Sequence, residues 1–473
     1  MRDATAAIAA NRFGLGARPG ELEACAADPR AWLGAQLKGP PPLIQDPDLQ
    51  SSAAMIRALD KVRAQNRLLK AGNADNQAAG PEAKQAVLNA VFKLGAIYRP
   101  AYVHEVTARL RLAAVTERPF LERITQFWSN HFAVSVDKAI VLGVAGSYER
   151  EAIRPNVLGS FAQLLLAVES HPAMLLYLDN FRSVGPDSLV AGRTQERAGR
   201  ALGINENLAR EIMELHTLGV NGGYTQADVT AFAKVITGWS IGAMGQGITE
   251  GGTPGEFMFR TNIHEPGAQS ILGKRYTQEG EAQGRSVLLD LARNPATAQH
   301  IATQLARHFI ADEPPPQAVA RLARVFSASD GDLPSVYRAL IAEEAAWMQP
   351  LAKFKTPNDY LVSAYRALEL PIDKPYQVAP LFANLGQRVW SPNSPAGWPD
   401  RSADWDGASA LMQRLRWADE IGQRVGASVN AAQLAPRLLG STLGNETRAA
   451  LARAASAAQA VTLLLAAPEF MRR

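Results

Sequence analysis

The chain has very little cysteine, since Cys25 is the only one among 473 residues. A single thiol cannot form a disulfide within the chain, and it cannot build a cysteine-based zinc site or an iron–sulfur cluster. Cys25 lies in an alanine-rich run with a helical pattern. We therefore expect it to be a small buried apolar residue rather than a nucleophile.

Long apolar runs are also lacking. No stretch approaches the roughly 18 consecutive apolar residues that predict a membrane span. Asn11 and Arg12 interrupt the apolar residues near the N-terminus, so we expect no signal peptide and a cytoplasmic protein. The net charge is only +4 and the arginines are scattered, so the chain lacks the basic block that marks a nucleic-acid-binding tail.

Helical patterns fill most of the chain, without the alternation of strands and helices that predicts a Rossmann or barrel fold. We predict a mainly α protein, a multi-helix globular array with one small β-hairpin near 256–276. In that hairpin, residues 256–260 pair with residues 270–276. The composition, 47% hydrophobic and 20% charged, allows a sizeable core.

The length of the chain suggests three parts. We expect N-terminal helices over 1–118, with a mobile surface loop near 72–81 where small and polar residues cluster. A central helical domain over 119–350 holds the candidate site and the hairpin. C-terminal helices over 351–473 pack on the same core.

Residues 205–219, Asn-Glu-Asn-Leu-Ala-Arg-Glu-Ile-Met-Glu-Leu-His-Thr-Leu-Gly, place several charged groups in one short apolar helix. A buried helix seldom carries so much charge without partners. On a regular helix, Glu206, Arg210 and Glu214 have the spacing of a salt-bridge ladder. His216 falls in the last turn, where a cation is favoured.

Glu211 is the residue that these structural roles leave unexplained. It shares a face with Asn207, Leu215 and Leu218, and no basic residue lies three or four positions away. On a regular helix His216 lies about 140° from it, so the two do not share a ligand unless the helix end unwinds. A carboxylate in this position needs a cation, a metal or a histidine from elsewhere.

Two further residues have both a structural and a functional interpretation. His131 lies with Phe127 and Trp128 on the apolar face of a helix that begins at Pro119, where a histidine is more often a satisfied core residue than a ligand. Trp398 lies in a proline-rich loop and either fills the core or stacks on a sugar or a base.

Several short segments together resemble a known family. They are residues 205–219 and the segments Phe127-Trp128-Ser129-Asn130-His131-Phe132, Gly222-Gly223-Tyr224-Thr225, Thr237-Gly238-Trp239, His264-Glu265-Pro266-Gly267, Ser394-Pro395-Ala396-Gly397-Trp398-Pro399 and Pro468-Glu469-Phe470-Met471-Arg472-Arg473. On these segments the chain resembles the bacterial domain-of-unknown-function family numbered eighteen hundred, from about Arg12 to Arg473.

This resemblance implies no established activity, but it does imply a partner. Genes of the family often stand beside genes for a second uncharacterised family, which looks sulfatase-like and is commonly exported with twin-arginine signals. The present sequence shows no such signal. We therefore expect a periplasmic location only if the protein is exported together with its partner.

Our leading functional hypothesis is an enzyme with a His/carboxylate or divalent-metal centre. Glu211 anchors this centre, and His131 and His264 act as acid–base groups or metal ligands, with Glu214 and His216 as alternate ligands if the helix end unwinds. Such a ligand set suits Zn, Fe or Mn. A hydrolase or an oxidoreductase acting on a polymer or an envelope component fits this centre.

Two alternatives belong to other classes of function. The chain is a non-catalytic helical partner or assembly factor of the sulfatase-like protein, with its polar groups in a buried structural network. Otherwise it is a glycan-binding protein that uses Trp398 and Trp239.

Overall fold

The structure is a computed structural model that describes residues 2–61, 81–199, 202–242, 252–348 and 351–473. The loop predicted near 72–81 lies outside the described residues except for Pro81, where a helix begins.

Helices dominate the described structure, which confirms the prediction of a mainly α protein. The α-helices are α1 (Arg2–Ile8), α2 (Glu21–Cys25), α3 (Pro29–Ala35), α4 (52–61), α5 (Pro81–Val115), α6 (Pro119–His131), α7 (Ala145–Tyr148), α8 (Phe161–Glu169), α9 (Pro172–Tyr177), α10 (Leu189–Ala198), α11 (Asn207–Glu211), α12 (Gln226–Val235), α13 (Glu281–Arg293), α14 (Pro295–Phe309), α15 (Pro316–Ala328), α16 (Leu333–Ala342), α17 (Ala345–Met348), α18 (Pro357–Leu368), α19 (Pro375–Asn384), α20 (Ala408–Val425), α21 (Ala431–Leu439), α22 (Asn445–Ala452) and α23 (Ala457–Ala466).

Shorter helical segments of two other types interrupt or extend these helices. The π-helical segments are Ala9–Phe13, Glu149–Ile153 and Ile212–His216, and the 3₁₀ turns are Arg154–Asn156, Asn180–Arg182, Thr261–Ile263, Ser402–Asp404, Gly426–Ser428 and Gly440–Thr442.

Short polar side chains begin many of the helices. Asn294 and Thr356 each accept a hydrogen bond from a backbone N–H in the first turn, and a proline follows each of them. Thr225 and Asp228 form a reciprocal capping box at the start of α12. Asp228 is thus a helix cap, as its position in the sequence indicates.

Four short strands form two antiparallel pairs. The strands are β1 (Trp239–Ile241), β2 (Phe257–Phe259), β3 (Gln269–Ile271) and β4 (Lys274–Tyr276), and β1 pairs with β2 while β3 pairs with β4. The predicted pairing of 256–260 with 270–276 is wrong. Leu272 and Gly273 both have positive φ, as a tight two-residue hairpin turn requires, so residues 269–276 fold back on themselves. The strand β2 pairs instead with β1, which has no alternating pattern to mark it.

The helix α6 lies inside the array rather than on its surface. All of its residues from Pro119 to Ser129 are buried, so other parts of the chain pack around it. One continuous core joins residues from Ala6 to Met471 and includes residues of all three predicted parts. The division at 118 and 350 stays a prediction. Among the described residues, no helix has the length and apolar character needed to cross a membrane.

A cluster of buried charges lies beside α6. The Arg154 guanidinium donates to Glu122 and to Glu149, each at 2.9 Å, and all three side chains are at most 1% exposed. Arg109 donates to the other oxygen of Glu149 at 3.0 Å. Burial raises the pKa of Glu149, but Arg109 and Arg154 lower it more, so its pKa lies below the usual value. We call these four residues the Arg154 cluster.

Replacing Arg154 by methionine should destabilise the fold strongly, because the buried Glu122 loses its cation and the buried Glu149 keeps only Arg109. We expect the free energy of unfolding to fall by about 3–5 kcal/mol, measured by chemical denaturation. Arg285 is the matched control, since it pairs with Glu281 at an exposed site on α13. Arg285→Met should cost less than about 0.5 kcal/mol. Equal losses in the two variants would contradict a special role for the buried cluster.

Candidate active site

A cleft of about 340 Å³ opens between four parts of the chain. Its walls come from the end of α6, one face of α14, the start of α18 and the loop between α19 and α20. On α14, His300, Gln304, Arg307 and His308 all line the cleft. Their spacing of four, three and one residues places them on neighbouring positions of one helix face.

Two of the segments that resemble the family meet at this cleft. The Asn130 side chain donates to the Trp398 carbonyl at 2.9 Å and accepts from the Trp398 N–H at 2.8 Å. Gly397 has a φ of 78°, and a Cβ there would lie 2.3 Å from the Asn130 carbonyl oxygen. Because no larger side chain fits without displacing this backbone, the glycine allows the tryptophan loop to close against α6.

A histidine–aspartate pair lies in the cleft wall. His308 Nδ1 is 2.8 Å from an oxygen of Asp400, and both residues line the cleft. Burial lowers the pKa of His308 to about 4, and the cations Arg473 and Arg123 add to this effect, while Asp400 opposes it. A neutral imidazole that donates Nδ1–H to a carboxylate carries a free electron pair on Nε2. No described residue forms a hydrogen bond with that buried Nε2 atom.

Neighbouring cations keep the Asp400 carboxylate ionised. Burial raises its pKa, but His308, Lys353 and Arg473 lower it more, and the resulting pKa is far below the usual range. Lys353 also pairs with Asp312 at 2.9 Å, and Arg473 donates to the His308 carbonyl at 2.8 Å. Asp400 therefore stays ionised and keeps the His308 ring in one tautomer.

The segment 205–219 reaches the cleft at Leu215, but it is not a regular helix. It forms α11 and then the π-helical segment Ile212–His216. Hydrogen bonds in a π-helix join residues five apart, which is the spacing of Glu211 and His216. The separation of about 140°, which assumes a regular helix, therefore does not apply to this segment. His216 indeed lowers the pKa of Glu211, although burial outweighs it and the net shift is upward.

His216 is fully buried in a pair of its own. Its Nδ1 lies 2.8 Å from Glu169, and both side chains are at most 1% exposed. His216 thus lies in the last turn of the segment, as predicted, but it is buried against Glu169, a partner that the local sequence does not indicate. Two other histidines donate hydrogen bonds to backbone carbonyls at the end of this helix. His131 Nε2 donates to the His216 carbonyl at 3.2 Å, and His300 Nε2 donates to the Leu215 carbonyl at 3.0 Å.

His131 lines the cleft, yet its Nε2 is occupied by this backbone contact. Burial lowers its pKa well below the usual value, and the neighbouring His300 and His216 lower it further. His131 is thus neutral, and it braces the π-helical segment against α6. Its Nδ1 remains available for chemistry in the cleft.

The predicted salt-bridge ladder is half present. Arg210 pairs with Glu206 at 3.1 Å, whereas Glu214 accepts a weak hydrogen bond from the Tyr224 hydroxyl at 3.4 Å. Glu211 is partly buried. Burial of Tyr177 and, to a smaller extent, the charge of Glu211 raise the pKa of Tyr177 to about 12. Within the described ranges, the Glu211 carboxylate takes part in no hydrogen bond or ion pair.

His264 lies in a different place. Its Nδ1 contacts the Thr237 carbonyl at 2.9 Å, and its ring packs on Phe259 at the turn between α12 and β1. The contacts of the described residues join it neither to Glu211 nor to His131. In those same residues, no group of three or more His, Cys, Asp or Glu side chains is placed to hold a metal ion.

The two tryptophans predicted for glycan binding have different surroundings. Trp239 is only 1% exposed and packs against Phe257, so it belongs to the core. Trp398 is partly buried, packs against the core and also lines the cleft. The two interpretations of Trp398 are therefore not exclusive.

Sequence reasoning missed the pair of His308 and Asp400. The two residues are 92 positions apart, and neither stands in a pattern that links it to the other. One signal was present, since Asp400 directly follows the segment that ends in Trp398-Pro399. His308 also lies eight residues after His300, on the same side of α14.

The low pKa of His308 gives a pH-dependent prediction. With ¹³Cε1-labelled histidine, the resonance lost in His308→Gln should titrate with a midpoint near pH 4 in the native protein. An unfolded histidine binds its proton near pH ~6.5, so this group stabilises the fold fully above that pH. The contribution is lost as the pH falls toward 4. A midpoint of His308 near that of an exposed histidine would contradict the neutral, buried state.

Glu211 offers a test of the metal-centre hypothesis. Without a bound cation, Glu211→Gln removes a partly buried charge, and the free energy of unfolding should be unchanged or higher. With a metal bound to Glu211, the same change should lower both stability and the metal content measured by mass spectrometry. Glu206→Gln is the control. It should cause a small loss, because Glu206 accepts hydrogen bonds from Arg210, Gln226 and Thr230.

Residues 8–472 match the model of the family described as a protein of unknown function, DUF1800. The match spans every residue of the cleft wall and of the π-helical segment. No curated protein and no solved structure matches the chain.

Proposed function

The chain belongs to the DUF1800 family, and we propose that its cleft is the active site of a hydrolase that works by general acid–base catalysis. The observation that supports this most is the His308–Asp400 pair. It combines a neutral imidazole, an ionised carboxylate on Nδ1 and an Nε2 without a protein partner, all in a cleft. A carboxylate on Nδ1 and an Nε2 without a protein partner are two features that a histidine base shares with this pair.

The reaction that fits this pair is ester hydrolysis. His308 Nε2 accepts a proton from a water molecule, whose oxygen forms a bond to the ester carbonyl carbon. The bond between that carbon and the leaving oxygen then breaks, and the proton passes from Nε2 to the leaving oxygen. Asp400 stays ionised throughout and stabilises the imidazolium that forms between the two steps.

The walls of the cleft support a role in substrate binding as well. Trp398 offers an apolar ring, while Asn130 and Gln126 of α6 are polar groups held in place by their own hydrogen bonds. An apolar surface with a few fixed polar groups is typical of small-molecule and polymer-end sites. A polymer or an envelope component remains the predicted substrate.

The other hypotheses remain predictions. A metal centre built on Glu211, His131 and His264 is tested by the metal analysis described above. A non-catalytic partnership with a sulfatase-like protein rests on the family resemblance. Co-purification with such a protein, together with hydrolysis that does not depend on His308, would favour it.

Hydrolysis of p-nitrophenyl acetate and longer acyl esters tests the proposal. We expect His308→Gln and Asp400→Asn each to lower kcat/KM by about 10²–10⁴, because the base is lost in one variant and its tautomer is no longer fixed in the other. Chemical unfolding curves of both variants should be recorded to show that each variant is folded.

The control is His171→Gln. His171 also pairs with a carboxylate, Glu151 at 3.0 Å, and is buried, but it does not line the cleft. This variant should hydrolyse the esters at the wild-type rate. Loss of activity in His171→Gln, or full activity in His308→Gln, would show that the hydrolysis does not arise from the proposed pair.

A further inference from the structure

The cleft contains more hydrogen-bond donors than the protein itself satisfies. Four lining residues have a buried N–H group without an acceptor among the described residues: Arg123 Nη2, Gln126 Nε2, Arg307 Nε and Trp398 Nε1. Among the acceptor atoms of the lining, His308 Nε2 is buried without a donor in the described residues. Asp359 Oδ2, in contrast, is 2.9 Å from Arg473. A buried donor without an acceptor costs about 1–3 kcal/mol, so this surplus favours a ligand rich in acceptor atoms.

Arg307 adds a net positive charge to this surplus. The other lining arginines have carboxylate partners: Arg109 pairs with Glu149, Arg123 with Asp359, and Arg401 with Glu313. The guanidinium of Arg307 has no hydrogen bond or ion pair with any residue in the described ranges. Burial is the main cause of the low pKa of His300, and the positive charge of Arg307 lowers that pKa further. The charge of Arg307 therefore acts on a residue of the cleft wall.

The carboxylates of the cleft do not compensate Arg307. Asp359 lies between Arg123 and Arg473, and Asp400 is held by His308 and Lys353. Asp404 also lines the cleft, but it is exposed on the 3₁₀ turn at the rim. The cleft therefore keeps one cation, Arg307, that has no carboxylate partner among the described residues.

We propose that the cleft binds an oxyanion group of its substrate, with Arg307 as the residue that determines this specificity. This inference rests on the proposed function, since it names the substrate class of the same site. Arg307 presents the planar donor fork that matches a carboxylate, a sulfate or a phosphate, and Gln126 of the same cleft lining supplies a neutral donor. The preferred substrate is an ester that carries a negative charge.

Titration calorimetry with sodium sulfate, inorganic phosphate and acetate tests this directly, at an ionic strength held constant with sodium chloride. We expect one saturable site for at least one of these anions. Arg307→Gln should weaken binding by at least roughly tenfold, and Arg307→Lys, which keeps the charge but not the fork, should lie between it and wild type. Gln126→Glu should abolish binding, since it replaces a donor with a like charge.

Arg401→Gln is the matched control, because it removes the same charge from the same cleft but from a side chain already paired with Glu313 at 3.0 Å. It should change the affinity by less than about twofold. Absence of a saturable site for all three anions would overturn the proposal. Equal weakening in Arg401→Gln and Arg307→Gln would do so as well, since it would reduce the effect to general electrostatics.

The two proposals of this site can fail separately. His308→Gln should keep the wild-type affinity for the anion while losing ester hydrolysis, because the base takes no part in holding the oxyanion. Anion binding without any hydrolysis would overturn only the proposed reaction. Hydrolysis that depends on His308, with no anion site in the wild type, would overturn only the present inference.

Discussion

A single buried carboxylate joins the interior of the helical array to the wall of the cleft. One oxygen of Glu149 accepts a hydrogen bond from the Arg154 guanidinium. The other oxygen accepts hydrogen bonds from Arg109, from the Ser129 hydroxyl at 2.8 Å and from the Trp390 indole N–H at 3.1 Å. Ser129, Trp390 and Arg109 all line the cleft. A charge this deeply buried persists only while its partners stay in place, so the cleft wall and the core constrain each other.

Two of the π-helical segments contain buried ion-pair residues. Glu149 lies at the start of one segment, and His216 lies at the end of another. An extra residue in a helical turn shifts every following side chain around the axis, and it leaves backbone carbonyls that need donors from outside. Near the cleft these donors are His131 and His300. The histidines therefore fix the backbone on one side of the cleft and leave His308 free of such a structural contact.

Much of the fold follows from local sequence, and much of the site does not. Pro295 and Thr225 each act within a few residues, so helix starts can be predicted from them. The family resemblance also drew attention to His131 and Trp398, which do line the cleft. His216 was misplaced because no sequence pattern announces a π-helix, and a helical wheel assumes a regular one. Strand β1 was missed because three buried residues show no alternation.

The base itself could not be found from sequence, since its partner is fixed by tertiary structure alone. Burial and three cations set the charge states of His308 and Asp400, and none of these lies within four residues of either. Glu211 shows the reverse case. The sequence indicated a carboxylate without a local partner, and the described structure agrees, but the residue of this segment that lines the cleft is Leu215 and not Glu211.

The separation of the cleft residues along the chain has a consequence for folding. Asp400 meets His308 across 92 residues, Arg473 meets His308 across 165, and Arg123 meets Asp359 across 236. Contacts of such long range form late, because closing long loops costs entropy before the contacts compensate for it. In a partly folded chain these charges stay hydrated, and their desolvation belongs to the last steps of assembly. The cleft therefore matures together with the global fold, and no isolated segment of the chain carries it.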